Sequence, residues 1–303
     1  NLANTIELAK QNHLDFKEIG GHAGKNKFFK FFYFPFRVFA LYFYLFKNKL
    51  DIGISHSSFY SPIVCKFLNI PSIYLNDNEY AKGNKIAFRF ATLNLLPESL
   101  SSKAIKSNWI SKYNIEFYPG IKEAIYLSQT ELFYDNPKVN MTRNKIFIRL
   151  EPWTAEYYKG KNEFMDPFIQ KLANKYEVVI LPRSNTQRNH FHQIKFNEVQ
   201  VSEKMISLQE IKKSCIVFIG AGGSMTRELA FLGVPTLSVY QDNLLSVDNE
   251  LIKLGLIKHE SIPTLDDVEY LIDNYCSNIN LNLFKNGKTA FDLINKKVIS
   301  LSS

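Results

Sequence analysis

The sequence predicts an α/β protein of two Rossmann-like domains, each a parallel sheet covered by helices on both faces. Three observations predict it. Short apolar or alternating runs recur along the chain, most of them separated by helical stretches. The length, 303 residues, suits two α/β domains of ordinary size. A hydrophobic content of 46% is enough to bury a sizeable core.

Strands are expected at 14–19, 51–55, 71–75, 93–96, 115–118, 145–150, 177–182, 215–219 and 235–239. Helices are expected near 59–69, 101–108, 161–175, 206–213, 224–233, 246–254, 264–276 and 283–298. The polar turn formers Asp135, Asn136, Pro137 and Asn140 precede the strand that starts at Lys145. They divide the chain into domains 1–140 and 141–303. The last helix is expected to pack back on the first domain. The chain opens at Asn1 inside a helical pattern, so the opening strand and loop of the first domain are expected to be missing. Crossovers should be right-handed, and ligands should sit beyond the carboxyl ends of the strands.

A net charge of +8, from 37 basic and 29 acidic residues, favours anionic partners. No helix-turn-helix pattern, zinc finger or arginine-rich arm accompanies it, which argues against nucleic acid. Cys65, Cys215 and Cys276 form no CxxC or Cys/His spacing. Neither a disulfide framework nor a structural zinc is expected, and a reducing cytoplasm is the natural setting.

Residues 215–239 carry the sharpest motif. An apolar run, 215–219, enters a glycine turn at Gly220, Gly222 and Gly223. A helix then starts near Ser224, stops at Gly233, and is followed by Pro235 and another strand. Glycines permit positive φ and close approach of backbone to a ligand. The helix N-terminus offers free N–H groups and a positive dipole end, which suit a diphosphate. Glu228, one turn into that helix, can accept hydrogen bonds from ribose hydroxyls. The plain alternative is a tight strand-to-helix turn. Gly220 and Thr226 complete the expected donor-binding set.

The pattern Gly-Gly, then Glu, then Leu-Ala-Phe-Leu-Gly-Val-Pro resembles the nucleotide-sugar motif of GT-B glycosyltransferases such as MurG. It is also similar to that of the non-hydrolysing UDP-N-acetylglucosamine 2-epimerases. The resemblance implies that Gly222, Gly223 and Ser224 face the diphosphate and that Glu228 holds the ribose. It implies a GT-B fold with a cleft between its two domains, and a nucleotide sugar, a UDP-sugar first, as substrate with no further cofactor. Other segments resemble the prokaryotic family catalogued as domain of unknown function 354. They are 20–25, 54–58, 76–81, 120–127, 149–158 and 181–188. Tyr80 stands where that pattern has His after Asp77-Asn-Glu79.

Candidate catalytic residues lie just past strands. His22 and His56 each offer an imidazole that can deprotonate a sugar hydroxyl, or can cap a loop. Asp77 and Glu79 can act as base and orienter, or belong to an Asx turn. Arg149 and Arg183 follow strands of the second domain and can clamp a diphosphate or form surface ion pairs. Glu151 and Trp153 share that rim, and the indole can stack on a base or sit buried. His190 and His192, two apart on a helix, point to different sides, so no metal is expected there or elsewhere.

Residues 28–46 hold twelve Phe or Tyr, interrupted by Lys30, Pro35 and Arg37. The charges and proline oppose a simple membrane span. Residues 1–50 carry eight basic and three acidic side chains. Two readings follow: a core helix packed on a sheet, or an interfacial helix on an anionic membrane surface. The second places the protein at the inner face of the membrane with a lipid-linked acceptor. The function expected is glycosyl transfer from a nucleotide sugar. The alternatives are a nucleotide-sugar 2-epimerase and a non-catalytic nucleotide-sugar-binding protein.

Overall fold

Runs such as Ser72–Leu75 and Leu93–Pro97 are buried at every position, as strands covered on both faces must be. The computed structural model describes residues 6, 9–10, 13–19, 27–133, 143–151, 153, 163–274 and 280–302. Contacts divide the chain into a unit of Asn1–Pro119 with Asp292–Ser303, and a unit of Gly120–Phe291. That division falls before the 140/141 boundary read from the turn residues. The segment between carries a helix, Lys122–Leu127, that packs within the second unit. Residues 134–142, which hold the turn formers, lie outside the described residues.

The first unit contains α1 (Lys27–Phe46), β1 (Gly53–His56), α2 (Tyr60–Phe67), β2 (Ser72–Leu75), α3 (Asn84–Phe90), β3 (Leu93–Pro97), α4 (Ser101–Lys106), α5 (Trp109–Lys112) and β4 (Ile115–Tyr118). Its sheet runs β1-β2-β3-β4, all parallel. Tyr74, Phe88, Leu96 and Trp109 form a core on one face. Asn94, buried within β3, donates its amide Nδ2 to the carbonyls of Phe88 (3.1 Å) and Asn114 (2.9 Å). Residues 14–19 are not a strand. Leu14 and Phe16 are exposed, and no strand of the described sheets pairs with this segment. The aromatic stretch forms the long helix α1. Phe34 packs on Tyr60 at 4.9 Å, and the Arg37 guanidinium lies over the same ring. The opposite side of α1 leaves Phe36, Phe39, Phe43 and Phe46 exposed. No helix among the described residues is long and apolar enough to cross a membrane.

The second unit begins with α6 (Lys122–Leu127). It continues with β5 (Lys145–Arg149), α7 (Asp166–Ala173), β6 (Glu177–Ile180), α8 (Asn185–Phe191), β7 (Val199–Val201) and α9 (Leu208–Ser214). Next come β8 (Cys215–Gly220), α10 (Ser224–Phe231), β9 (Thr236–Ser238), α11 (Ser246–Lys253), β10 (Lys258–His259) and α12 (Leu265–Asn274). Helix α13 (Leu281–Ser302) starts in this unit, and its residues from Asp292 cluster with the first, where Lys297 pairs with Glu116 at 2.6 Å. The sheet is fully parallel in the order β10-β9-β8-β5-β6-β7. Alternation along β5 supplies two cores: Ile146 and Ile148 face one layer, Phe147 the other. Helices α8 and α9 start on Ser184 and Ser207, whose hydroxyls accept the N–H groups of Gln187 and Glu210.

The strand order fixes where a ligand can enter the second unit. From β5 the chain builds outward through β6 and β7. It then returns to the other side of β5 as β8 and builds outward through β9 and β10. The loops after β5 and β8 therefore leave in opposite directions, which opens a crevice at their carboxyl ends. Arg149, the last residue of β5, is in register with Gly220, the last of β8, at this point.

Candidate functional site

The glycine turn after β8 adopts the conformation its composition allows. Gly222 and Gly223 have φ of +73° and +85°, which a side chain would strain. A Cβ on Gly222 would meet the Tyr240 ring at 3.1 Å, so this position is closed by packing. A Cβ on Gly223 would have only Arg183 Nη2 within 4 Å, at 3.9 Å, so this backbone is open. Helix α10 begins here with no side-chain cap. Its first N–H groups are therefore left to other partners, at the positive end of the dipole. Thr226 is buried and donates its hydroxyl to the Gly222 carbonyl (3.2 Å), so it braces the turn from within.

Two guanidinium groups border that turn. Arg183 donates Nε–H to the Leu150 carbonyl (2.6 Å), and its own N–H is taken by Gln187 Oε1 (2.8 Å). Burial, with Arg183 adding to it, lowers Arg149 to about 10, against the opposing pull of Glu228. Crowding of like charge in a half-buried crevice is relieved by an anion placed among them.

Glu228 is held by a residue the sequence did not single out. Tyr126 of α6 donates its hydroxyl to Glu228 Oε1 at 2.5 Å, and Lys122 Nζ reaches Ser224 Oγ at 3.2 Å. Lys122 and Tyr126 are four apart, as are Ser224 and Glu228, so one row of α6 lies along one row of α10. Between these contacts, buried Arg227 bonds Asp248 (2.8 Å) and Glu123 (3.3 Å). Burial raises the Glu228 carboxyl above the usual range, with Glu123 adding to it while Tyr126, Lys122 and Arg149 oppose. The phenol of Tyr126 is also raised, first by burial and then by the Glu228 charge. The matching four-residue spacings were visible in 120–127 and 224–228. Only the fold says that the two rows meet.

The first unit brings two of its candidates together. His56 ends β1, and its Nε2 lies 3.3 Å from Asp77 Oδ1, with Asp77 buried and the imidazole about one-third exposed. Beneath them Asn76 donates to Ser57 Oγ (3.0 Å) and Tyr74 Oη (3.1 Å), and accepts the Asn78 N–H at 2.8 Å. The Asx turn here is thus built on Asn76, which leaves Asp77 to face the imidazole. Glu79 is buried and Tyr80 exposed. His22 and the loop around it lie outside the described residues. His190 bonds Asp166 at 2.9 Å and meets Trp153 edge-on, while His192 turns to Glu203 at 2.9 Å. Among the described residues no group of three or more His, Cys, Asp or Glu could hold a metal ion. Cys65 and Cys215 are buried, and burial raises Cys215 to about 12. Cys276 lies outside the described residues.

Comparison with known proteins agrees with this fold. The structure of UDP-GlcNAc 2-epimerase from Neisseria meningitidis bound to UDP-GlcNAc is similar at a TM-score of 0.62. It is 15% identical, covering 97% of this chain and 88% of that one. Acinetobacter baumannii MurG is similar at a TM-score of 0.50. It is 14% identical, covering 98% of this chain and 87% of that one. These likenesses show the GT-B fold. The uncharacterized protein MJ0665 of Methanocaldococcus jannaschii is 29% identical over 287 residues, 90% of this chain and 80% of that protein. Residues 1–300 match the family model described as "Protein of unknown function (DUF354)", and the chain belongs to that family.

The Arg227 contacts make a stability prediction. Arg227→Ala leaves Asp248 buried without its cation and Glu123 buried with only Lys122 Nζ, at 3.3 Å, a loss of roughly 3–5 kcal/mol. Urea unfolding of the variant measures it, and a loss below about 1 kcal/mol would mean that the two carboxylates reach water when Arg227 is removed.

Proposed function

We propose that this DUF354 chain is a glycosyltransferase that takes a sugar from a nucleotide sugar, a UDP-sugar first among the candidates. The observation that carries this reading is the meeting of an open, uncapped helix N-terminus with Arg149 and Arg183 at the strand-order reversal of the second sheet. A diphosphate there accepts N–H bonds from Gly223 and Ser224 and neutralises two crowded guanidinium groups. Glu228, held through one oxygen by Tyr126, turns its other oxygen to ribose hydroxyls. Charge developing on the departing nucleoside diphosphate is stabilised by the same cations. His56, oriented by Asp77, has the chemistry of a general base for an acceptor hydroxyl.

A second reading, a nucleotide-sugar 2-epimerase, draws support from the buried carboxylates Asp77 and Glu79, which add acid/base groups to His56. It needs no acceptor. Membrane docking belongs to the first reading. Phe36, Phe39, Phe43 and Phe46 recur at spacings of three, four and three on the exposed side of α1, near Arg37, Lys47 and Lys49. An apolar stripe beside basic residues suits an anionic bilayer that carries a lipid-linked acceptor.

Three measurements follow from these readings. In a thermal-shift screen, one of the UDP-, GDP-, ADP- or dTDP-sugars should raise the melting temperature. Glu228→Ala should weaken that binding about 10- to 100-fold, the worth of a hydrogen bond to a charged group. No shift from any of them removes the donor site. Incubation of the protein with UDP-GlcNAc alone separates the two reactions: isomerisation without acceptor favours the epimerase and ends the transferase reading. Vesicles containing anionic lipid should sediment the chain, and Phe39→Ser with Phe43→Ser should leave it in the supernatant. Equal sedimentation of the two proteins would eliminate the docking surface.

A further inference from the structure

Glu151 follows β5 by two residues and is 1% exposed. Among the described residues neither of its carboxylate oxygens has a hydrogen-bond partner. A buried carboxylate without partners is costly, and such a group persists where something outside the chain completes it. Its position says what that is. The Glu151 carbonyl accepts from Gln187 Nε2 at 2.6 Å, and Gln187 Oε1 in turn takes the Arg183 N–H. Arg183 is the cation that acts on the Glu151 carboxyl, and the backbone N–H groups of Glu151 and Gln241 lie close to it without closing a hydrogen bond. Arg183 is also the neighbour of the open face of Gly223, and Tyr240, next to Gln241, closes on Gly222. The Glu151 carboxyl therefore lies near Arg183, which borders Gly223, and near Gln241, whose chain neighbour Tyr240 borders Gly222.

We propose that Glu151 belongs to the diphosphate site, carries a proton when a nucleoside diphosphate is bound, and donates its O–H to a phosphate oxygen. This rests on the donor-site reading above. An ionised carboxylate would repel the diphosphate, whereas the neutral acid adds a donor to those of the turn. Burial raises Glu151 to about 7, past the opposing effect of Arg183 and the two backbone N–H groups. Near neutrality the unliganded group is thus shared between its two forms. A bound diphosphate raises it further, so binding above pH 7 takes up a proton from solution. The cation that acts on it is Arg183 after β6, and Arg149, two residues before Glu151, ends β5, lowered to about 10 by burial and by Arg183.

The test is calorimetric titration with UDP, with GDP, ADP and dTDP in parallel, between pH 7.5 and 9. There the phosphate, whose last ionisation lies near 6, is already fully charged. Wild-type affinity should fall roughly 30-fold across that range, the linkage expected for one proton. Glu151→Gln keeps a donor but cannot ionise. It should bind at pH 7.5 within about threefold of wild type and stay level to pH 9. Wild-type titrations at pH 8 in buffers of different ionisation enthalpy should show about one proton taken up per nucleotide, which needs no variant. A level wild-type profile with no proton uptake, or a Glu151→Gln profile as steep as wild type, overturns the assignment and leaves the donor site standing. If none of the four nucleotides binds the folded wild type at any pH, the donor-site reading falls and this inference with it.

Discussion

The reversal of strand order beside β5 is the constraint on which the second unit depends. A parallel sheet that grows in one direction sends its loops the same way and closes over its own strand ends. Growth from β5 in both directions parts the loops after β5 and β8. Positive charge gathers in that gap from three sources: the start of α10, Arg149 in register with Gly220, and Arg183 after β6. Each has a reason to be there. Gly223 leaves the helix start bare, and the Leu150 carbonyl fixes Arg183. Arg149 loses some of its usual basicity to burial and to Arg183. An arrangement of this kind costs free energy while empty and returns it when an anion arrives.

Orientation of the Glu228 carboxylate depends on a second interaction. A lone Glu on the first turns of a helix would sample several rotamers. The row Lys122, Glu123 and Tyr126 of α6 holds the row Ser224, Arg227 and Glu228 of α10 at three points. Arg227 sits between Glu123 and Asp248 and ties α11 into the same cluster. The close seat of α6 has its own requirement. A Cβ on Gly287 of α13 would lie 2.3 Å from the Ala124 carbonyl oxygen, so glycine lets that helix approach α6. In the first unit, buried Asn76 plays a comparable part. By taking the Asn78 N–H and reaching Ser57 and Tyr74, it shapes the loop in which Asp77 meets His56.

Much of this was legible in the residues. The run from Cys215 through Val239 states strand, glycine turn, helix and strand in local terms, and each element forms where its composition requires. Strands of three or two residues, Val199–Val201 and Lys258–His259, are too short to announce themselves, because their ladder partners define them more than their own pattern. Leu14–Ile19 shows the converse: alternation without a partner strand makes no strand. The aromatic stretch was readable as a helix that could be core or interfacial. The register of Phe34 on Tyr60 decides which phenylalanines α1 leaves exposed.

By itself the sequence determined the α/β class, the glycine turn that begins α10, and the basic and acidic residues that follow the neighbouring strands. These are local properties, set by side-chain period, backbone freedom and charge within a few residues. Tertiary structure alone decided that Arg149 and Arg183 crowd one another, that Tyr126 steadies Glu228, that Asp77 and not Asn76 faces His56, and that the Glu151 carboxylate is buried with no hydrogen-bond partner among the described residues. Each of these is a distance between segments separated by tens of residues, and only strand order and helix packing set such distances.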